Sequence, residues 1–190
     1  YGLLADCSVD EIDLRRMLRI AELLDDQDLS SKVVDLARDR FGESSNPYCV
    51  VKGMYVLARH QAEAPGSKQL VNEARGELDD LVASGLASID TYMMLARLWY
   101  DVDSSSSDEA IRILETAIER QPDHVPASIY LARCLQETQR PDEADGIIQQ
   151  LYQKREKFTP AQRTMLAGLL VRQGRDAEYA SSICEVAERT

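Results

Sequence analysis

Apolar positions recur every three or four residues along almost the whole chain, which predicts a succession of amphipathic helices. Leu14, Leu18, Ala21 and Leu24 make one stripe, and Leu29, Val33, Leu36, Ala37 and Phe41 make the next, stopped at Gly42. Ser8 and Glu11 read as a capping box ahead of the first helix, the hydroxyl accepting from a first-turn amide while the carboxylate reaches back. Asn46 reads as the cap of a third helix and Pro47 as its first residue, where a missing N–H costs nothing. From Tyr48 to Ala58 every residue is apolar or glycine except Lys52, so this helix is expected to be buried on most sides. A break at 64–67 precedes a fourth helix through Leu70, Ala74, Leu78 and Leu81 to Gly85. At the far end Ala180, Ile183, Cys184 and Ala187 line the last of ten expected helices.

The stripes between Ile89 and Phe158 repeat themselves. Tyr92, Leu95, Ala96 and Trp99 are answered at equal offsets by Ser128, Leu131, Ala132 and Leu135. Likewise Ala110, Leu114 and Ala117 are answered by Ala144, Ile148 and Leu151. Pro122 closes the first unit, whereas Glu156 holds that place in the second. Thr159 and Pro160 then restart the pattern with Leu166, Ala167 and Leu170 in step, although Arg163 stands where a large apolar residue is expected. Large residues fill space, and alanine at the crossings lets helix backbones approach.

This alternation of large, small and aromatic residues with a closing proline resembles the tetratricopeptide repeat, best over 89–158 and more loosely over 8–88 and 159–190. The resemblance implies an all-α, right-handed solenoid of about five antiparallel helix pairs in a single domain, 1–190. Irregular hairpins are expected at 8–42 and 46–85, then repeats at 89–124, 125–158 and 159–190. In that family the second, fifth, ninth and twelfth positions of each first helix face a concave groove that receives a peptide. Carried over by register, those positions are Asp90, Met93, Arg97 and Tyr100, then Pro126, Ile129, Arg133 and Gln136. Arg97 and Arg133 occupy equivalent places and are expected to receive carboxylates or carbonyls of a partner, with Met93, Tyr100 and Ile129 adding apolar contact. The other reading pairs the two arginines with Asp101 and Glu137, one turn away. The lysine and asparagine clamp with which some family members grip a chaperone's C-terminal carboxylate is not reproduced, since Met93, Arg97 and Tyr130 hold its places.

Composition narrows the partner. With 33 acidic against 22 basic residues the formal charge is -11, which opposes a phosphate backbone, so nucleic acid is not expected. No apolar run is long enough to cross a bilayer, and direct membrane insertion is not expected. Because the chain begins at Tyr1, it is expected to be part of a larger polypeptide. Cys7, Cys49, Cys134 and Cys184 are widely separated without a CxxC pair, which argues against zinc and against a disulfide framework, and free thiols suggest a cytoplasmic setting. His60 and His124 have no nucleophile motif nearby, and no glycine-rich phosphate loop occurs, so no catalytic residue, cofactor or metal is expected. Ser104–Ser107 reads as a loop insertion ending in a cap at Ser106 or Ser107, or as an acid-flanked phosphorylation site.

The expected function is therefore a noncatalytic scaffold that binds a peptide or a partner protein. Two alternatives are a regulatory or assembly domain of a larger enzyme or assembly system, and a structural repeat that self-associates through its terminal helices at Met17, Ile183 and Val186.

Overall fold

A computed structural model describes residues 10–23, 26–103, 107–172 and 174–175. The described residues form nine α-helices and one 3-10 turn, with no strand. The chain divides into two compact units, Tyr1–Ser104 and Ser105–Thr190. The expected tenth helix lies outside the described residues.

The first unit holds α1 (Glu11–Leu23), α2 (Gln27–Phe41), α3 (Asn46–Gln61), α4 (Ser67–Ala83) and α5 (Ile89–Val102). Each helix packs on the next, while α3 also packs on α1 and α5. That central place is why α3 is apolar nearly all round: Tyr48, Cys49, Val50, Val51, Val56 and Leu57 are all buried. Lys52, the charge that interrupts its apolar run, donates to Glu77 of α4 at 2.5 Å. Burial alone would lower the Lys52 pKa, but the hydrogen bond and charge of Glu77, helped by Tyr48, raise it. Gly53 sits where α3 meets α5, and a Cβ there would stand 2.6 Å from Cγ of Met94. Arg75 of α4 lies 4.0 Å from the Trp99 ring centroid and donates to the Leu98 carbonyl at 2.6 Å, so a cation covers one face of Trp99.

Two expected caps are corrected. The helix α1 starts after Asp10, which accepts from the Asp13 amide at 2.8 Å, while Glu11 turns to Arg15. Ser8 lies outside the described residues. In α3 the cap is Ser45, accepting from Tyr48 N–H at 3.3 Å, and Pro47 follows at the second helical position. Asn46 is instead spent on a distant segment: it donates to the Leu86 carbonyl at 2.9 Å and accepts from the Ser88 amide at 2.7 Å and from the Thr91 hydroxyl. A side chain that ties down the start of α5 cannot also cap its own helix.

The second unit holds α6 (Ser107–Arg120), α7 (Val125–Glu137), α8 (Pro141–Lys154), the 3-10 turn Arg155–Lys157 and α9 (Pro160–Arg172). Here α7 is central, packing on α6, α8 and α9. Val125, Ile129 and Ala132 meet Ile148, Leu151, Phe158, Leu166, Leu169 and Leu170 in one apolar cluster. Thr159 caps α9 through a reciprocal pair: its hydroxyl accepts from the Gln162 amide at 3.3 Å while its own amide donates to the Gln162 side chain at 2.9 Å. Arg163 is 9% exposed despite its charge, because its guanidinium donates to the Glu156 carbonyl at 3.0 Å. Ser107, one of the two expected caps, is buried as the first residue of α6; Ser104–Ser106 are outside the described residues.

Candidate functional site

The eight groove positions fall on two helices. Asp90, Met93, Arg97 and Tyr100 stand on α5 of the first unit; Pro126, Ile129, Arg133 and Gln136 stand on α7 of the second. Tyr100 and Ile129 are buried at 7% and 8% exposure, so they support the core and offer little surface to a ligand. Asp90 is half-buried and accepts from Arg15 of α1 at 3.0 Å, an ion pair within the first unit. Met93 is half-buried.

The arginines have similar settings. Arg97 Nε is 3.5 Å from Asp101, and Arg133 Nε is 3.9 Å from Glu137, each pair one turn apart on its own helix. With arginine side chains 37% and 29% exposed, such pairs orient the guanidinium more than they neutralise it. Arg133 is further held by the face of Tyr130, whose ring centroid lies 4.8 Å from the guanidinium carbon.

Around Arg133 the second unit opens a cleft of about 650 Å3. Gln136 and Glu137 continue its wall along α7, Asp145 contributes from α8, and Arg172 and Arg175 close it from α9 and the residues after it. Among the described residues three guanidinium groups face two carboxylates there, a positive excess within an acidic chain. The side-chain nitrogen of Gln136 is buried there without a hydrogen-bond partner among the described residues. Reading α7 alone reached Arg133 and Gln136. Arg172 and Arg175 belong to this cleft only because α9 folds back beside α7, a juxtaposition that no local spacing records.

His124 has a structural role that its turn setting concealed: Nδ1 accepts from the Ala127 amide at 3.2 Å, capping α7. His60 lies 3.5 Å, through Nδ1, from the buried Ser67 hydroxyl, in a cleft that Asp101 also lines. That separation exceeds the roughly 2.6–3.2 Å of an activated nucleophile and its base. Burial pushes the Cys49 thiol up to about 11, further raised by Glu77 and opposed by Lys52, so it stays protonated and unreactive at neutral pH. Among the described residues no three histidine, cysteine or acidic side chains come together as metal ligands.

Residues 102–169 match the tetratricopeptide repeat family, overlapping the stretch picked out by spacing but leaving out most of α5 and reaching into α9. The chain has a tetratricopeptide-like helical repeat fold. It is similar to a thermophilic tetratricopeptide repeat protein of Thermus thermophilus at 17% identity, with a TM-score of 0.64 over 95% of this chain and 92% of that one. It is also similar to the nearly identical tetratricopeptide-like repeats of a Podospora anserina protein assigned as a kinesin light chain, at 17% identity, a TM-score of 0.56, and coverage of 94% and 91%. No curated protein matches the sequence. Identities this low speak for the fold alone, and the fold is one that generally mediates protein–protein interaction. No helix among the described residues is long and apolar enough to cross a membrane.

Proposed function

We propose that the chain is a noncatalytic interaction module that holds an extended segment of a partner protein, with Arg133 and Gln136 of the second unit as its principal contacts. The observation that carries this reading is the cleft beside α7. Arg133 is pre-oriented by Tyr130 and Glu137, Arg172 and Arg175 share its cleft, and the Gln136 amide nitrogen is left to be satisfied. A peptide supplies a backbone carbonyl oxygen for that amide, and its carboxylates suit the planar guanidinium donors beside it. Arg97 offers a contact of the same kind on the first unit, with Asp101 in the orienting role. The test is affinity capture of partners by the whole chain, repeated with Arg133→Glu and with Arg97→Glu. A partner captured equally well by both variants rules out the arginine contacts.

Self-association is the second reading, supported by Ile12 and Ile20 on α1, which are 58% and 53% exposed and two turns apart on one face. Met17, the sequence-based candidate on that helix, is half-buried instead, while Ile183 and Val186 lie outside the described residues. Sedimentation that is independent of concentration would remove this reading.

A further inference from the structure

A second cleft, of about 420 Å3, opens in the second unit where α7 begins, α8 ends and the 3-10 turn leads into α9. Its floor is apolar. Val125, Leu151 and Phe158, 6–9% exposed, are the outward edge of the unit's core cluster, so the cleft bottoms on the core itself. Its rim is cationic: Lys154 and Lys157 stand at its mouth, Lys154 3.3 Å from Asp123, whereas Lys157 has no acidic partner among the described residues. Two 13-residue helices also start there, α7 behind His124 and α9 behind Thr159. Their positive dipole ends add to the lysine charge, and the one aspartate offsets only part of it. Val125 and Arg133 are eight residues apart on one helix, about 12 Å along its axis, so this cleft and the arginine cleft are separate surfaces.

We propose that this cleft docks an acidic segment of a partner protein that carries one bulky apolar side chain. The apolar group covers Val125, Leu151 and Phe158, and flanking carboxylates meet Lys154 and Lys157. The volume lies within the range of about 300–1,000 Å3 typical of sites that enclose a small group. Charge selects the occupant. A basic segment would meet two ammonium groups and two helix N-termini, and a wholly polar one would leave the apolar floor wet.

The probe is a fluorescein-labelled nonapeptide of aspartate and glutamate around one central phenylalanine, titrated against the whole chain by anisotropy in about 0.15 M salt, where long-range repulsion by the net charge is screened. Saturable binding is expected, weakened by roughly tenfold or more when the phenylalanine becomes alanine or when Lys154→Glu and Lys157→Glu are combined. The control pair Lys32→Glu and Lys68→Glu, on the first unit, makes the same change in net charge and is expected to alter affinity by less than about twofold. In the unaltered chain, amide NMR shifts on adding peptide are expected at Val125, Ser128, Phe158 and Gln162, which locates the site even if the double variant misfolds. The proposal is overturned by absence of saturable binding, by equal loss in the control pair, or by shifts centred on Arg133 and Gln136. It is overturned as well if sedimentation shows a dimer that the Lys154/Lys157 change abolishes, because the occupant is then a second copy of the chain.

Discussion

Gly53 and Gly146 are both helical glycines, yet their surroundings give opposite expectations. A methyl group on Gly53 would stand 2.6 Å from Cγ of Met94, a side chain that is itself 2% exposed, so neither partner has room to yield. Gly53→Ala is expected to lower stability by about 1–3 kcal/mol through overpacking, more than the roughly 1 kcal/mol of helix propensity it recovers. At Gly146, in the exposed middle of α8, a Cβ meets nothing within 4 Å, and Gly146→Ala is expected to raise stability by about 0.5–1 kcal/mol. Paired thermal or urea unfolding curves check both signs. At Lys52 the folded pKa lies above its ordinary 10.5 because Glu77 and Tyr48 outweigh burial. The stability this contributes is fully present below 10.5 and is lost as pH rises through the folded value. The difference in melting temperature between the wild type and Lys52→Met is therefore expected to hold steady up to the ordinary lysine pKa of about 10.5 and to narrow as pH rises above it. That Lys52 interrupts an apolar run was visible in the chain; that Glu77, twenty-five residues on, completes it was not.

Among the elements, caps separated what local sequence can say from what it cannot. Thr159 with Gln162 obeys a local rule, and α9 starts where the rule puts it. Asn46 also has a capping side chain, but its amide is committed to Leu86, Ser88 and Thr91, and a neighbouring serine takes over the helix end. Asn46→Ala is accordingly expected to cost about 1–3 kcal/mol by stranding the partners at the start of α5, while α3 keeps its cap. Local helix loss in hydrogen exchange at Ser88–Tyr92, with α3 protection unchanged, is the measurement that separates the two roles. His124 gave no local signal because histidine is an uncommon cap, yet Nδ1 satisfies α7 as an aspartate oxygen would. Replacement by alanine is expected to cost about 0.5–2 kcal/mol, and His124→Asp to cost less, read from unfolding midpoints.

For the whole molecule, the net charge of -11 and the repeated helical stripes are legible in the sequence, and they direct attention to a protein partner. Each unit has its own apolar interior, around α3 in the first and α7 in the second. Trp99, the single tryptophan, belongs to the first unit, so its fluorescence reports that unit's unfolding. Arg75→Leu is expected to shift the Trp99 emission by removing the guanidinium 4.0 Å from its ring, with the far-UV helical signal retained.

Sequence by itself determined the helices, their order, the repeat-like packing faces and the positions of Arg97, Arg133 and Gln136, because three-and-four spacing and alanine crossings are properties of neighbouring residues. Tertiary structure alone decided that Tyr100 and Ile129 serve the core and that Asp90 is held by Arg15. It also decided that Arg172 joins Arg133, and that Lys154 and Lys157 stand over an apolar floor. Each of these depends on where a helix distant in sequence comes to lie, and helical periodicity fixes a residue's face without fixing which neighbour meets it.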